Sequence, residues 1–466
     1  MSKQYDLLVI GSGSAGFAAA STAYKRGLKN VLLIEKRQLG YSLCTNKGCM
    51  PSKTLLASAD IKRAIESSDQ FGIEVNKPQV NWSAIQKRVR HLVEDDFSAA
   101  RREAIINSNI EVVQGSARFV SPHQVEVAGH LYTAPKIIIA TGSKVDIPSI
   151  KGLDKVDCID SDQALYLEKL PASLLIIGGG YVAAELGYLF HKMGVKVTIL
   201  EKGERMLKDL DADISLSLQE IMRQNGIDII TGAEVQEVKK EVKGKIAIAQ
   251  LKSGKKKSFQ AEEIMIAAGR CADVDGLNVG KAGVHLTERG AIEVNQYLQT
   301  SVPHIYAIGD VNGKPPFVHI ATMEGRIAGL NVTGQSKQKM NYDSLAHVVF
   351  SHPEIGSVGL TEVQAKERGL KVLVAKTPMD DIGKAVALGQ TEGFIKMVAE
   401  SPSGKILGLH ILGAQATDVI QVVLPHLYHH DTVFDILNIP YPHPTLGEAL
   451  SYPAEDIAAQ LGSFDD

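Results

Sequence analysis

No stretch of this sequence reaches the roughly 18 consecutive apolar residues that a membrane-spanning helix needs, so none reads as a span. Neither sign of charge dominates: 50 Lys and Arg stand against 53 Asp and Glu, a net charge of -3. That balance leaves no strong field to draw the chain onto nucleic acid or an anionic membrane, and neither partner is expected. Cysteine is scarce, at four in 466 residues, too few for the disulfide framework of a secreted protein. No secretory leader is expected either, because the apolar start Tyr5–Ile10 is short and runs straight into glycines. The expected location is therefore the cytoplasm or an equivalent compartment. Low-complexity tracts are absent as well. What remains is a globular composition, 44% hydrophobic and 22% charged, with length for three or four domains.

The first positive signal is an internal echo. Leu7–Ile10 runs into Gly11-Ser12-Gly13, and Val31–Glu35 follows. Leu174–Ile177 runs into Gly178-Gly179-Gly180, and Val197–Glu201 follows. Each unit predicts a buried strand, a glycine turn, a helix and a parallel strand ending in glutamate. Gly11, Gly13 and Gly16 form G-x-G-x-x-G. The first glycine permits the turn, the second lets backbone approach a pyrophosphate, and the third lets helix and strand pack closely. Glu35 is then placed to accept hydrogen bonds from a ribose diol. In the second loop Gly178 and Gly180 are followed by Ala183 as the third small residue. Glu201 favours a free 2′-hydroxyl over a 2′-phosphate, hence NAD, although Arg205 lies four residues on.

Between and beyond these units the periodicity predicts a helix over Pro51–Ile65 and another over Val80–Ile106. It predicts a small β-meander over Glu111–Phe119 and Gln124–Val127, and a buried strand, Lys136–Ala140, closed by Thr141 and Gly142. Similar strands are Glu263–Ala268, closed by Gly269, and His304–Ile308, closed by Gly309 and Asp310. A helix over Thr322–Val332 leads to a polar linker, Ser336–Lys339. Mixed strands (Phe394–Ala399, Ile406–Leu412) and a helix (Ala416–Leu427) make up the rest. Lys255-Lys256-Lys257 reads as a solvated hairpin tip. The fold class is α/β: two Rossmann-like dinucleotide-binding domains plus a C-terminal α+β domain. The expected divisions are residues 1–148, 149–270, 271–342 and 343–466.

Cys44 and Cys49 are separated by Thr45-Asn46-Lys47-Gly48. A metal site would need further ligands, and no cluster of cysteine or histidine lies nearby, so no metal is expected. Helix-forming residues follow Pro51, so the pair sits at or just inside a helix N-terminus. The dipole there favours a thiolate, most of all on the cysteine nearer the helix. Lys53 is one turn on from Cys49, on the same face. Cys158 and Cys271 read as ordinary core or surface thiols.

The segment Cys44-Thr45-Asn46-Lys47-Gly48-Cys49-Met50-Pro51-Ser52-Lys53 resembles the C-x-N-x-G-C-x-P-S-K motif of the class I pyridine nucleotide–disulfide oxidoreductases. Ala140-Thr141-Gly142-Ser143, Ala268-Gly269-Arg270, Ile308-Gly309-Asp310 and His443-Pro444-Thr445-Leu446-Gly447-Glu448 resemble its other segments, in the family's order along the chain. The resemblance implies a homodimeric flavoprotein oxidoreductase. It implies FAD on Gly11, Gly13, Gly16, Glu35, Thr141, Gly142 and Asp310, with Lys53 near the flavin and paired with Glu185. It implies NAD on Gly178, Gly180, Glu201 and Gly269. It implies that Cys49 faces the flavin, that Cys44 exchanges with substrate, and that His443, held by Glu448, moves the proton at the partner's cysteines.

Two departures stand out. The usual Gly-Gly-Thr before the first cysteine is replaced by Tyr41, Ser42 and Leu43, with Leu39-Gly40 one residue further upstream. After Arg270 the usual Pro-Asn is replaced by Ala272-Asp273, which questions a contact between domains. No cysteine follows Cys271, whereas mercuric reductases carry a C-terminal pair. Both motifs together with Glu201 bring the chain nearest to the dihydrolipoamide dehydrogenases. The implied substrate is a dithiol on a lipoyl carrier, as in a 2-oxo acid dehydrogenase complex. A glutathione-type or other disulfide reductase, or a slow-turnover flavoprotein redox sensor, is the alternative.

Overall fold

In the computed structural model, which describes residues 3–335 and 337–462, both glycine units close as parallel sheets. The first sheet orders its strands Ile305–Ala307, Lys136–Ile139, Leu7–Ile10, Val31–Glu35, Glu111–Gln114. The second orders Ile159–Asp160, Glu263–Ile266, Ser173–Ile177, Lys196–Glu201, Asp228–Thr231. All eight pairings are parallel. The strands are apolar on both faces because helices or other sheets cover both sides. In each sheet the strand before the glycine loop is central, so each loop opens at the carboxyl ends of the strands, where such sheets bind ligands.

Smaller antiparallel sheets flank these. Ala117–Ser121, Gln124–Val127 and His130–Thr133 form a meander, joined at its edge by Lys3–Gln4. Ala233–Glu241, Gly244–Leu251 and Lys256–Ala261 form another. The C-terminal sheet is antiparallel, ordered Ala346–Val349, Glu354–Gly359, Ile406–Gly413, Phe394–Glu400, Val372–Pro378. The helix Ala416–His429 packs on it, giving the α+β unit expected from the sequence.

Two details differ from the sequence reading. Glu111–Gln114 belongs to the first parallel sheet rather than to the meander, because it pairs with Val31–Glu35. Periodicity alone cannot say which neighbour a short strand takes. The helix expected over Val80–Ile106 is three pieces: an α-helix Trp82–Arg90, a π-helical stretch His91–Ser98 and an α-helix Ala99–Ile106. Of the linker Ser336–Lys339, Ser336 lies outside the described residues. No helix among those described is long and apolar enough to cross a membrane.

Helix α1 (Ser14–Lys25) follows the first loop and packs against the helix Val318–Asn331 almost backbone to backbone. A Cβ on Gly325 would lie 2.4 Å from the Ala15 carbonyl oxygen, and one on Gly329 would lie 2.6 Å from that of Ala19. These glycines therefore set the depth at which the loop-bearing helix seats. A different contact ties the second unit to the C-terminal sheet. Lys396, only 2% exposed, gives its ammonium to Asp211 (3.0 Å), Asp213 (2.8 Å) and Glu362 (2.9 Å). Burying an ammonium is tolerable only when it is fully paired in this way.

Gly325→Val must push α1 away from its partner. It is expected to destabilise the fold by about 1–3 kcal/mol, as overpacking does. A lowered urea midpoint checks this, and an unchanged midpoint contradicts the account.

Candidate active site

Gly11 has φ +103°, and a Cβ there would meet the Ala140 carbonyl oxygen at 2.3 Å. A Cβ on Gly16 would sit 1.9 Å from the Gly11 carbonyl oxygen. Glycine is thus required at both positions by contact, as the G-x-G-x-x-G argument anticipates. Gly13 and Gly142, by contrast, face open space. They border a cleft of about 490 Å³ lined also by Glu35, Tyr41, Thr141 and Arg270. Glu35 is buried; its Oε2 accepts from the Ser12 amide (2.9 Å) and hydroxyl (2.7 Å), and its Oε1 from the Arg37 amide (2.8 Å).

The hydroxyls of Thr141 and Tyr41 are buried with no partner among the described residues. Orphaned hydroxyls beside an open glycine cradle are what a polar dinucleotide would satisfy, so the residues present fit FAD. Asp310 accepts from the Ser143 hydroxyl at 2.6 Å. Arg270 bonds the same hydroxyl (3.0 Å) and Asp162 (3.0 Å). Asp273, in place of the usual asparagine, pairs with Lys36 at 2.6 Å, so a contact between segments exists there after all.

The cysteine pair straddles a break rather than opening one helix. Helix α2 (Leu43–Lys47) contains Cys44 and is capped by Ser42, whose hydroxyl accepts from the Thr45 amide at 3.1 Å. Gly48 interrupts the helix, and Cys49 begins helix α3 (Cys49–Glu66). The neighbouring Cys44 thiol, as donor to the thiolate, and then Lys53 lower the Cys49 thiol to about 7. Cys49 in turn, together with burial, raises Cys44. Lys53 pairs with Glu185 at 2.6 Å. Glu185 lies on helix α4 (Tyr181–Lys192), and its other oxygen accepts from the Phe350 amide at 3.1 Å. The pair thus joins the first unit, the second unit and the C-terminal sheet behind the thiols. Cys158 is half-buried, and burial raises it to about 11, away from any reactive range.

At the second loop Gly178 has φ +112°, and a Cβ would meet the Ala267 carbonyl oxygen at 2.4 Å. Gly180 and Gly269 face open space. Glu201 accepts from the amides of Gly179 and Gly203, both at 2.5 Å. Arg205 bonds the carbonyls of Leu207 (3.1 Å), Lys208 (2.7 Å) and Leu210 (3.1 Å) and the Ser215 hydroxyl (2.5 Å). Its guanidinium is spent on the loop.

His443 stands apart from the cysteines within one chain. Its side chain is 75% exposed, and its Nδ1 meets Glu448 Oε2 at 3.0 Å. The other Glu448 oxygen accepts from the Thr445 amide (2.9 Å), which fixes the carboxylate. His429 and His430 are exposed.

Several neighbours escape sequence reading. Tyr166 donates to the Asn46 carbonyl (2.7 Å), and Asn46 donates to Ser98 (2.9 Å), so distant segments brace the loop between the cysteines. Arg101, on Ala99–Ile106, donates to the Ser12 carbonyl. Tyr181 bonds His347 at 3.2 Å and meets Phe317 edge-on at 5.7 Å between ring centroids. None of these has a local motif. Only the three-dimensional fold brings them to the site.

Comparison with known proteins yields two family matches. Residues 5–325 match the pyridine nucleotide-disulphide oxidoreductase model, and residues 345–454 match the dimerisation domain of the same group. A mercuric reductase of Bacillus cereus is 36% identical over 96% of this chain and 70% of its own length. A dihydrolipoyl dehydrogenase of Bacillus subtilis is 34% identical over 97% of this chain and 98% of its own. Among solved structures, the HOCl-induced flavoprotein disulfide reductase RclA from Escherichia coli superposes with a TM-score of 0.86. It is 28% identical, covering 97% of this chain and 99% of its own.

In the dithiol form, Cys49 is expected to titrate near pH 7, well below the ordinary thiol value of 9.0. Because its folded value is depressed, this contribution to stability is full above about 9 and fades as pH falls through about 7. The alkylation rate at Cys49 against pH checks this, and a midpoint near 9 contradicts it.

Proposed function

The chain belongs to the pyridine nucleotide-disulphide oxidoreductases, and on that premise we propose that Cys44 and Cys49 are its redox-active pair. They relay two electrons between a substrate dithiol and NAD by way of FAD. The observation that carries this reading is the placement of the pair: Cys44 on α2 and Cys49 as first residue of α3, either side of the Gly48 break, with Lys53 one turn on and held by Glu185 at 2.6 Å. An exchange reaction needs one good leaving thiolate and one thiol that waits for a base.

In the forward direction a substrate thiolate attacks Cys44 of the Cys44–Cys49 disulfide, and Cys49 leaves as thiolate. The helix dipole of α3 and Lys53 stabilise that charge. The second substrate thiol then attacks the mixed disulfide at the substrate sulfur, closing the substrate disulfide and releasing Cys44. His443 of the partner subunit accepts the proton, with Glu448 holding the imidazole in one tautomer. The exposure of His443 in the single chain supports this, since it leaves the ring available to a partner. FAD, when bound, supplies the two-electron acceptor between the thiols and the nicotinamide. Gly11, Gly13, Gly16, Glu35, Thr141, Gly142 and Asp310 hold it, and Lys53, oriented by Glu185, neutralises charge beside it. Gly178, Gly180, Glu201 and Gly269 hold the nicotinamide nucleotide. NAD is favoured over NADP because Glu201 repels a 2′-phosphate and Arg205 is already committed to four groups of its own loop.

Dihydrolipoamide on a lipoyl carrier, as in a 2-oxo acid dehydrogenase complex, is the substrate that this set of groups favours, with a cytoplasmic enzyme acting as a homodimer. A second reading is a reductase running the other way, from NAD(P)H to a glutathione-type or other acceptor. The unusual Tyr41-Ser42-Leu43 approach to Cys44 and the similarity to mercuric reductases favour it.

Steady-state rates with dihydrolipoamide and NAD+, set against oxidised glutathione with NADH and NADPH, separate the two. The first pair is expected to be fastest, and NADP+ at least about tenfold poorer than NAD+. His443→Gln is expected to lose about 10²–10⁴-fold in kcat. A preference for NADPH, or an intact rate in that variant, contradicts the proposal.

A further inference from the structure

The segment that carries Cys44 is clamped by one short helix from both sides. Asn46 Nδ2 donates to Ser98 Oγ at 2.9 Å, and Arg102 Nε donates to the Leu39 carbonyl at 3.2 Å. Gly40 packs against the same helix so closely that a Cβ there would lie 2.4 Å from the Ser98 carbonyl oxygen. Arg101 sits between these anchors. It is three residues after Ser98, so the two side chains share the helix face that meets α2. The π-helical stretch His91–Ser98 ends where this face begins, and its wider turn sets the rotation of the helix that follows.

Arg101 is itself unusual. It is half-buried, and no carboxylate comes within 4.0 Å of it among the described residues. One guanidinium nitrogen donates to the carbonyl of Ser12, inside the first glycine loop. Its Nε is buried without a partner among the described residues. An unpaired guanidinium is costly to bury, and it cannot shed its proton. It is bonded to the glycine loop, where a dinucleotide's pyrophosphate would carry negative charge, and it also acts on the Cys44 sulfur, where negative charge arises during the proposed reaction. The electrostatics of the thiols agree. Arg101 favours the Cys44 thiolate more than Lys53 does, whereas Lys53 is the cation that favours the Cys49 thiolate.

We propose that Arg101 is a positioning residue for thiol exchange, a cation dedicated to the Cys44 thiolate as Lys53 is to that of Cys49. This rests on the reading of Cys44 and Cys49 as the redox pair. The helix that anchors α2 through Ser98 carries Arg101, and the Ser12 carbonyl fixes the direction of its guanidinium. When the mixed disulfide resolves, the electron pair of the breaking S–S bond goes to Cys44 sulfur, and Arg101 stabilises that charge until a base delivers a proton. In the opposite direction it offsets part of what holds Cys44 protonated, so that a base can release its thiolate. Because the same guanidinium binds the glycine loop, seating of the dinucleotide and acidity of Cys44 are linked.

The test uses the FAD-loaded protein in its two-electron-reduced form. Iodoacetamide alkylation of Cys44 is followed against pH by peptide mass analysis, and the potential of the pair is measured against a glutathione buffer. Arg101→Met is expected to slow alkylation at neutral pH at least fivefold and to move its midpoint upward. It should shift the equilibrium with glutathione about tenfold toward the disulfide, close to 30 mV for a two-electron couple. Arg101→Lys should recover most of both effects, and the long-wavelength thiolate–flavin absorption from Cys49 should stay. Unchanged alkylation and potential in Arg101→Met overturn the proposal. If that variant does not retain flavin, Arg101→Lys and Arg101→Gln are compared, and equal reactivity despite their different charge overturns it. Absence of the thiolate–flavin absorption in the unaltered protein sinks the redox-pair reading itself, a distinct failure.

Discussion

The mutual influence of the Cys44 and Cys49 thiols, set across the helix break at Gly48, is the interaction on which the rest depends. It makes two chemically identical groups unlike each other. Cys49 has a helix N-terminus and Lys53, while half-buried Cys44 is held protonated by its neighbour and by burial. A continuous helix from Leu43 onward would put both sulfurs in similar fields. The break at Gly48, with Ser42 and Asn46 fixing the preceding turn, separates them into different ones.

Much of the surrounding structure keeps that arrangement in place. The two parallel sheets present their glycine loops at strand ends, and the Lys53–Glu185 pair draws α3 and α4 together behind the thiols. Glu185 also receives the Phe350 amide, so the C-terminal sheet is tied to the same point. The buried Lys396 cluster adds a second tie between that sheet and the second unit. His443, outward-facing and held by Glu448, remains on the surface that the dimerisation domain provides. In this flavoprotein disulfide oxidoreductase the imidazole proposed to move the proton stands on a different element from the sulfurs.

How much of this was legible beforehand follows from the range of each signal. The glycine loops were readable because contact requires glycine at Gly11, Gly16 and Gly178, and the strands beside them are short, apolar and bounded. The cysteine motif was readable as a unit, yet its helix break was not, since a glycine among helix formers permits either outcome. The π-helical stretch within 82–106 was hidden for a similar reason: its residues fit a helical period. Glu111–Gln114 was assigned to the wrong neighbour because alternation reports faces, not partners. Arg101, Tyr166 and His347 carry no local pattern at all. They reach the site across separations that only tertiary packing closes. Arg205 shows the reverse case, a residue whose sequence position suggested phosphate binding and whose guanidinium is occupied by its own loop.

The central claim, that Cys44 and Cys49 exchange a disulfide for two thiols while flavin stays bound, is tested most directly by counting thiols. The chain has four cysteines. Purified, oxidised protein is denatured with and without prior anaerobic addition of one equivalent of NADH, and its free thiols are titrated. The account predicts a rise from two to four per chain, with alkylation of the new pair mapping to Cys44 and Cys49. A count that does not change while the flavin itself is bleached would contradict it.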